Sequence, residues 1–121
     1  MEEILNYISD RIGIISFLTG IIFTIAALIL YCFPPKKINY LYGYRTPSSM
    51  KNQQVWDFSQ KYSAIKMLQI GLLLIAVSFI NVVITISEKQ ETILGIGLLI
   101  AGCIYMFMVT ESAIKKNFPN H

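Results

Sequence analysis

The residues able to do chemistry are gathered between Asn39 and Trp56, in the order N-Y-L-Y-G-Y-R-T-P-S-S-M-K-N-Q-Q-V-W. Tyr42, Tyr44 and Trp56 offer rings with polar edges, Arg45 and Lys51 carry positive charge, and Gly43 and Pro47 shape the backbone. Arg45 has the sharpest chemical meaning. Its planar guanidinium can hold a carboxylate or phosphate through two parallel hydrogen bonds and stack on a tyrosine ring. Its plainer reading is a lipid-facing cation that helps to orient the chain. Either way this is binding chemistry, suited to a surface that is apolar on one side and wet and charged on the other.

Catalytic chemistry is not expected. The only histidine, His121, is the last residue and reads as a solvated end. The acids Glu2, Glu3, Asp10, Asp57, Glu88, Glu91 and Glu111 are scattered along the chain. An acid–base pair, a zinc site or an activated nucleophile needs such groups clustered, and no glycine-rich phosphate loop is present. The expectation is a non-enzyme with no metal and no cofactor. Cys32 and Cys103 lack ligand spacing and read as packing residues.

The elements that must position the segment are apolar. Of 121 residues, 55% are hydrophobic and 14% charged, against about 45–50% and about 25% in soluble domains. The charges fall in gaps between three uncharged runs, Ile12–Phe33, Met67–Ser87 and Thr92–Thr110, of 22, 21 and 19 residues. A hydrocarbon core of about 30 Å needs about 20 helical residues. Backbone in lipid must satisfy its own hydrogen bonds, so each run is expected to be a helix. Continuous rather than alternating apolarity excludes a barrel. The fold class expected is all-α and integral to a membrane, with one domain over 1–121 and transmembrane helices at about 12–33, 66–87 and 92–110. The acidic start before Ile12 is unlike a signal peptide.

Around these spans, Met1–Arg11 is expected to form a short interfacial helix, with Ile4, Leu5 and Ile8 on one face and Tyr7 at the head groups. Pro34-Pro35 should end the first span. Residues 38–47 should be irregular, with Ser48 or Ser49 capping a helix that starts near Met50 and runs into the second span. Val55, Phe58, Tyr62 and Ile65 form its apolar stripe, making it amphipathic. Glu88–Glu91 is expected to join the last two spans as a tight connection. Gly13 with Gly20, and Gly95 with Gly102, place small residues on shared faces where helices approach closely, within the chain or in a homo-oligomer.

Cation placement orients the chain. Lys36, Lys37, Arg45, Lys51, Lys61 and Lys66 lie in the first gap and Lys115 and Lys116 in the tail, eight of the ten cations. Putting those segments inside gives an N-terminus outside and a C-terminus in the cytoplasm, in a bacterial cytoplasmic membrane. The net charge of +3 is thus a topological signal and no sign of nucleic acid. The basic gap also suits anionic membrane lipids.

Three further residues carry alternatives. Trp56 is an interfacial anchor or packs under the loop. Asn81, inside the second span, is structural glue to Thr19 or Thr24, or a contact for a peptide or lipid. Glu111 pairs with Arg45 or a loop lysine, tying the tail to the loop, or is solvated.

Pro34–Trp56, with its core Y-G-Y-R-T-P-x-S-M-x-N-x-x-x-W from Tyr42 to Trp56, resembles the SdpI family of small bacterial membrane proteins. The resemblance runs from Ile12 to about Ile86, with the third span matching in kind. It places the family signature on Tyr42, Gly43, Tyr44, Arg45, Thr46, Pro47, Ser49, Asn52 and Trp56. It implies immunity to a secreted toxin peptide, bound or blocked in the membrane. The name-giving member protects its producer from a sporulation-delaying peptide. The resemblance also implies, as the alternative, a signalling scaffold whose loop recruits a cytoplasmic transcriptional regulator.

Overall fold

The structure is a computed structural model that describes residues 1–119. His121 lies outside the described residues. Five helices follow in order: α1 Glu2–Ser9, α2 Ile14–Cys32, α3 Gln53–Val77, α4 Ile80–Val83 and α5 Glu88–Asn117. No strand occurs among the described residues. Three stretches, Ile14–Cys32, Gln53–Val83 and Glu88–Asn117, are long and apolar enough to cross a membrane. The chain is an all-α membrane protein.

The α1 helix buries none of its residues against the protein. Glu2 and Glu3 in its first turn complement the helix dipole. At its other end the Arg11 guanidinium lies 3.8 Å from the centre of the Tyr7 ring and donates to the Tyr7 carbonyl.

The α2 and α3 helices form the principal pair, with α5 laid mostly on α3. Their closest approach is at Gly20 and Gly71. A β-carbon on Gly20 would stand 2.8 Å from the Gly71 carbonyl oxygen, and one on Gly71 would stand 2.8 Å from the Thr24 amide nitrogen. Gly95 makes room for the Ser16 side chain and Gly102 for the Ile70 side chain. The small faces are therefore filled within the chain, and only Gly97 has nothing within 4 Å of its would-be β-carbon. Lipid tails are as apolar as leucine, so close backbone contact rather than hydrophobicity selects these faces.

Several element boundaries differ from expectation. Ser48 and Ser49 do not cap α3. Asn52 does, its side chain accepting from the Val55 amide at 2.9 Å. The expected stripe on α3 is also revised. Val55 is buried but Ile65 is exposed, while the buried face carries Trp56, Ser59, Gln60, Ser63 and Ala64. The second span does not run unbroken through residue 87. It ends at Val77, turns at Ser78 and Phe79, and makes one more turn as α4. The β-branched run Val82-Val83-Ile84-Thr85-Ile86, stiff at χ1 and a weak helix former, begins in that turn and ends it. The break is used: the Ser78 carbonyl accepts the Gly13 amide at 2.7 Å and so docks the start of α2.

Glu88–Glu91 is not the connection but the first turn of α5. Ser87 and Gln90 form a capping box, Gln90 N to Ser87 Oγ at 3.1 Å and Ser87 N to Gln90 Oε1 at 2.9 Å. At its far end α5 continues past Thr110 to Asn117. There Ile114 packs against Tyr44 and Val55, and Phe118 meets Phe58 edge-on at 5.3 Å. Neither cysteine is packed inside, since Cys32 and Cys103 are both exposed on the helix surfaces.

Gly71→Ala is expected to lower the thermal unfolding midpoint in detergent, because the added methyl meets backbone on α2; overpacking of this kind costs about 1–3 kcal/mol. Gly97→Ala, with open space around it, should leave the midpoint unchanged or raised, since alanine is the better helix former by about 1 kcal/mol. Equal effects at the two positions would contradict the packing described.

Candidate functional site

Residues 33–52 cross from α2 to α3 without regular structure. Their backbone polar groups still need partners, and side chains supply them. Tyr42 Oη donates to the Phe33 carbonyl at 2.8 Å, closing the end of α2. Trp56 Nε1 donates to the Pro35 carbonyl at 2.7 Å. Gln53 Nε2 donates to the Lys36 carbonyl at 2.5 Å. Asn39 Oδ1 accepts from the amides of Leu41 and Tyr42 at 2.9 and 2.8 Å, an Asx turn.

The centre of the arrangement is Gln60, 0% exposed. Its Oε1 accepts the Tyr44 amide at 2.7 Å and its Nε2 donates to the Tyr44 carbonyl at 2.8 Å. One side chain thus holds both polar groups of one loop residue, as a neighbouring β-strand would. Gly43 makes this possible. Its φ of +105° is in the region that favours glycine, and a β-carbon there would run into the Gln60 side chain and Pro35.

Tyr44 reaches onward to α5. Its hydroxyl donates to Glu111 Oε2 at 2.6 Å, joined by Thr46 Oγ1 at 2.9 Å, while Ser48 Oγ donates to Glu111 Oε1 at 2.5 Å. Glu111 therefore accepts three loop hydroxyls. Arg45, one of the cations considered for it, is engaged elsewhere, on the carbonyls of Gly43 and Tyr40. Burial, then the hydrogen bond to Glu111 and its negative charge, push the Tyr44 phenol well above its ordinary value; Thr46 opposes this. The phenol is thus held neutral, as a donor.

The remaining signature residues serve the same loop. Ser49, fully buried, accepts the Thr46 amide at 2.8 Å and donates to the Thr46 carbonyl at 3.0 Å. Pro47 starts that turn, closed by the Met50 amide on the Thr46 carbonyl at 3.1 Å. Asn52 caps α3, as above. Trp56 is 0% exposed and packs under the loop, so it is not an interfacial anchor. A flat indole with one polar edge is spent here on covering the prolines and satisfying one of their carbonyls.

Asn81 stands apart, at the opposite end of the bundle. Its Oδ1 accepts the Ile86 amide at 2.7 Å, shaping the turn after α4. It does not bind the hydroxyls of Thr19 or Thr24, which donate to carbonyls one turn back on their own helix. A broken helix frees local amides, and the nearest side-chain acceptor takes one. Asn81 also borders a polar cavity of about 340 Å³ with Asp10, Glu88 and Glu91.

Gln60, Gln53 and Asn39 are not among the candidate site residues read from sequence, and Ser48 is read there only as a helix cap. The available signal was the spacing of Gln60 four residues after Trp56, which puts both on one helix face.

A model of the SdpI/YfhL protein family matches residues 36–110. The match takes in the loop, α3 and most of α5, so the third span belongs to the family pattern in sequence as well as in kind. The chain is also 38% identical over 96 residues to a Bacillus subtilis (strain 168) protein described as uncharacterized protein YfhL, covering 79% of this chain and 82% of that one. No solved structure matches the chain.

The Tyr44 shift carries a pH signature. Its folded-state value is raised above the ordinary 10.0, so its contribution is complete below that value. As pH climbs beyond it, the unfolded chain loses a proton that the fold retains, and stability falls. Thermal unfolding followed from about pH 8 to about pH 11 should therefore fall more steeply in the wild type than in Tyr44→Phe. Parallel profiles would mean that the phenol is not held neutral by Glu111 and burial.

Proposed function

This chain belongs to the SdpI/YfhL family, and from that premise we propose that it is an immunity-type membrane protein. It protects its cell from a secreted antimicrobial or toxin peptide by binding the peptide in the membrane or blocking its access. It acts without catalysis, metal or cofactor. The observation that carries this reading is that the family signature is spent on a fixed platform. Tyr42 to Trp56 ties the ends of α2, α3 and α5 together through named hydrogen bonds. A rigid platform next to apolar helices suits recognition of a membrane-borne peptide. The α5 helix adds surface for one, with Ile96, Ile100, Ile104 and Phe107 exposed along it.

A second reading, a signalling or scaffold subunit that recruits a cytoplasmic regulator, is favoured by the exposed cations at the loop end. Lys36, Lys37, Lys51, Lys61, Lys115 and Lys116 all lie on the surface there. Both readings share one topology in a bacterial cytoplasmic membrane, with the loop and the end of α5 inside and the N-terminus outside.

The test of protection is expression in a strain sensitive to the secreted sporulation-delaying peptide. The wild type should restore growth under challenge and the empty vector should not. Gln60→Leu, which leaves the Tyr44 amide unpaired at a cost of about 1–3 kcal/mol, should protect weakly at equal membrane abundance. Growth inhibition as severe with the wild type as with the vector would sink the toxin reading for that peptide.

Topology is tested separately. In a background lacking Cys32 and Cys103, a single cysteine at position 45 should label with a membrane-impermeant maleimide in inverted vesicles and stay unlabelled in intact cells. Labelling in intact cells would invert the scheme.

A further inference from the structure

Bordering Arg45 is a cavity of about 280 Å³. It is formed where the three long helices meet the loop. Leu30 of α2, Ser63 and Met67 of α3 and Met106 of α5 make its walls, and Tyr42 and Arg45 border it from the loop. The walls are mainly apolar and the loop side carries a cation. Methionine side chains are unbranched and adaptable, fit to follow a flexible chain.

Arg45 is held ready rather than free to wander. Its Nε donates to the Gly43 carbonyl at 3.4 Å and its Nη1 to the Tyr40 carbonyl, which leaves the other N–H donors of the fork available. The segment that fixes it is itself greasy and exposed. Tyr40 and Leu41 are 82% and 90% exposed, directly beside the guanidinium's anchor points. A soluble anion has no use for such neighbours. A lipid surface does, because exposed aromatic and leucine side chains belong at the boundary between head groups and acyl chains.

We propose that this cavity is the binding site of one anionic phospholipid, its phosphate on the Arg45 guanidinium and the first part of an acyl chain against Leu30, Met67 and Met106. Charge complementarity selects an anionic head group, and the forked guanidinium matches two phosphate oxygens at once. The apolar wall selects a chain-bearing ligand over free phosphate. A lipid seated there touches all three long helices and the loop, so it is part of the platform and not an annular contact. The site stands independently of the toxin reading.

The test is native mass spectrometry of the full chain released from nanodiscs of equal parts phosphatidylglycerol and phosphatidylcholine. The wild type should retain phosphatidylglycerol over phosphatidylcholine by about fivefold, the factor expected for one well-placed cation at a membrane surface. Arg45→Ala and Met106→Trp should each bring retention close to parity, the first by removing the charge and the second by filling the cavity. Should Arg45→Ala fail to fold, Met106→Trp decides alone, since it leaves every loop hydrogen bond in place. Parity in the wild type overturns the proposal, as does undiminished preference in Met106→Trp. Loss in Arg45→Ala alone would put the lipid on the loop surface and overturn the cavity. Displacement of the lipid by millimolar glycerol 3-phosphate or inorganic phosphate would reassign the site to a soluble anion.

Discussion

The architecture depends on the two hydrogen bonds by which Gln60 grips the backbone of Tyr44. An irregular segment at the edge of a hydrocarbon layer cannot rely on water for its amides and carbonyls, and each one left unpaired is costly. Helix and sheet are the usual remedies. This chain uses neither between Phe33 and Asn52. It spends side chains instead, with Tyr42, Trp56, Gln53 and Gln60 each directed at backbone. With Tyr44 fixed by Gln60, its ring lies against Val55 and Ile114 and its hydroxyl reaches Glu111. Without that grip, the contact between loop and third helix would lose its central member.

Helix packing follows a related constraint. Inside the bundle, α3 buries Ser59, Gln60, Ser63 and Gly71 beside Ile70 and Leu74, and turns Leu72 and Leu73 outward. A soluble protein would rarely bury so many polar residues or expose so many leucines on one helix. In lipid the outer surface is already apolar, so a large aliphatic side chain gains packing but little hydrophobic free energy by going inside. Small residues are favoured inside because they let backbones touch, as at Gly20 and Gly71. Polar residues are favoured inside because only there can they find partners.

This inversion explains what was legible in the sequence. The three spans could be read from uninterrupted apolarity, and the loop from its odd composition, because both depend on charge placement along the chain. The stripe Val55–Phe58–Tyr62–Ile65 was misleading because periodicity of apolar residues reports the protein-facing side only in water. Gln60 then fell on what looked like a solvent face and is in fact fully buried at the loop end. The end of the helical span at Val83 was hidden for another reason. Val82-Val83-Ile84-Thr85-Ile86 is as hydrophobic as any span, and hydropathy does not register that five stiff β-branched residues in succession make a poor helix. The start of α5 was different again. The Ser87–Gln90 capping box is written in the residues, but charged Glu88–Glu91 drew attention as a gap between apolar runs instead.

The link between loop and third helix bears on how the two functional readings relate. Glu111 is seated one turn before Ile114, and both engage the loop, one through three hydroxyls and the other through Tyr44 and Val55. The α5 helix and the loop are thus mechanically joined at one end, while the middle of α5 is largely uncovered by protein. A ligand can shift an equilibrium only by the difference in its affinity for two states. For a peptide against α5, such states would be those in which the Glu111 contacts are made or broken, because they form a polar connection from that helix to the platform. Under the proposed reading, peptide binding in the membrane and partner recruitment at the loop would draw on one set of bonds. Protection and signalling need not be rival designs for this fold; they would be two readouts of whether Tyr44, Thr46 and Ser48 hold the same carboxylate.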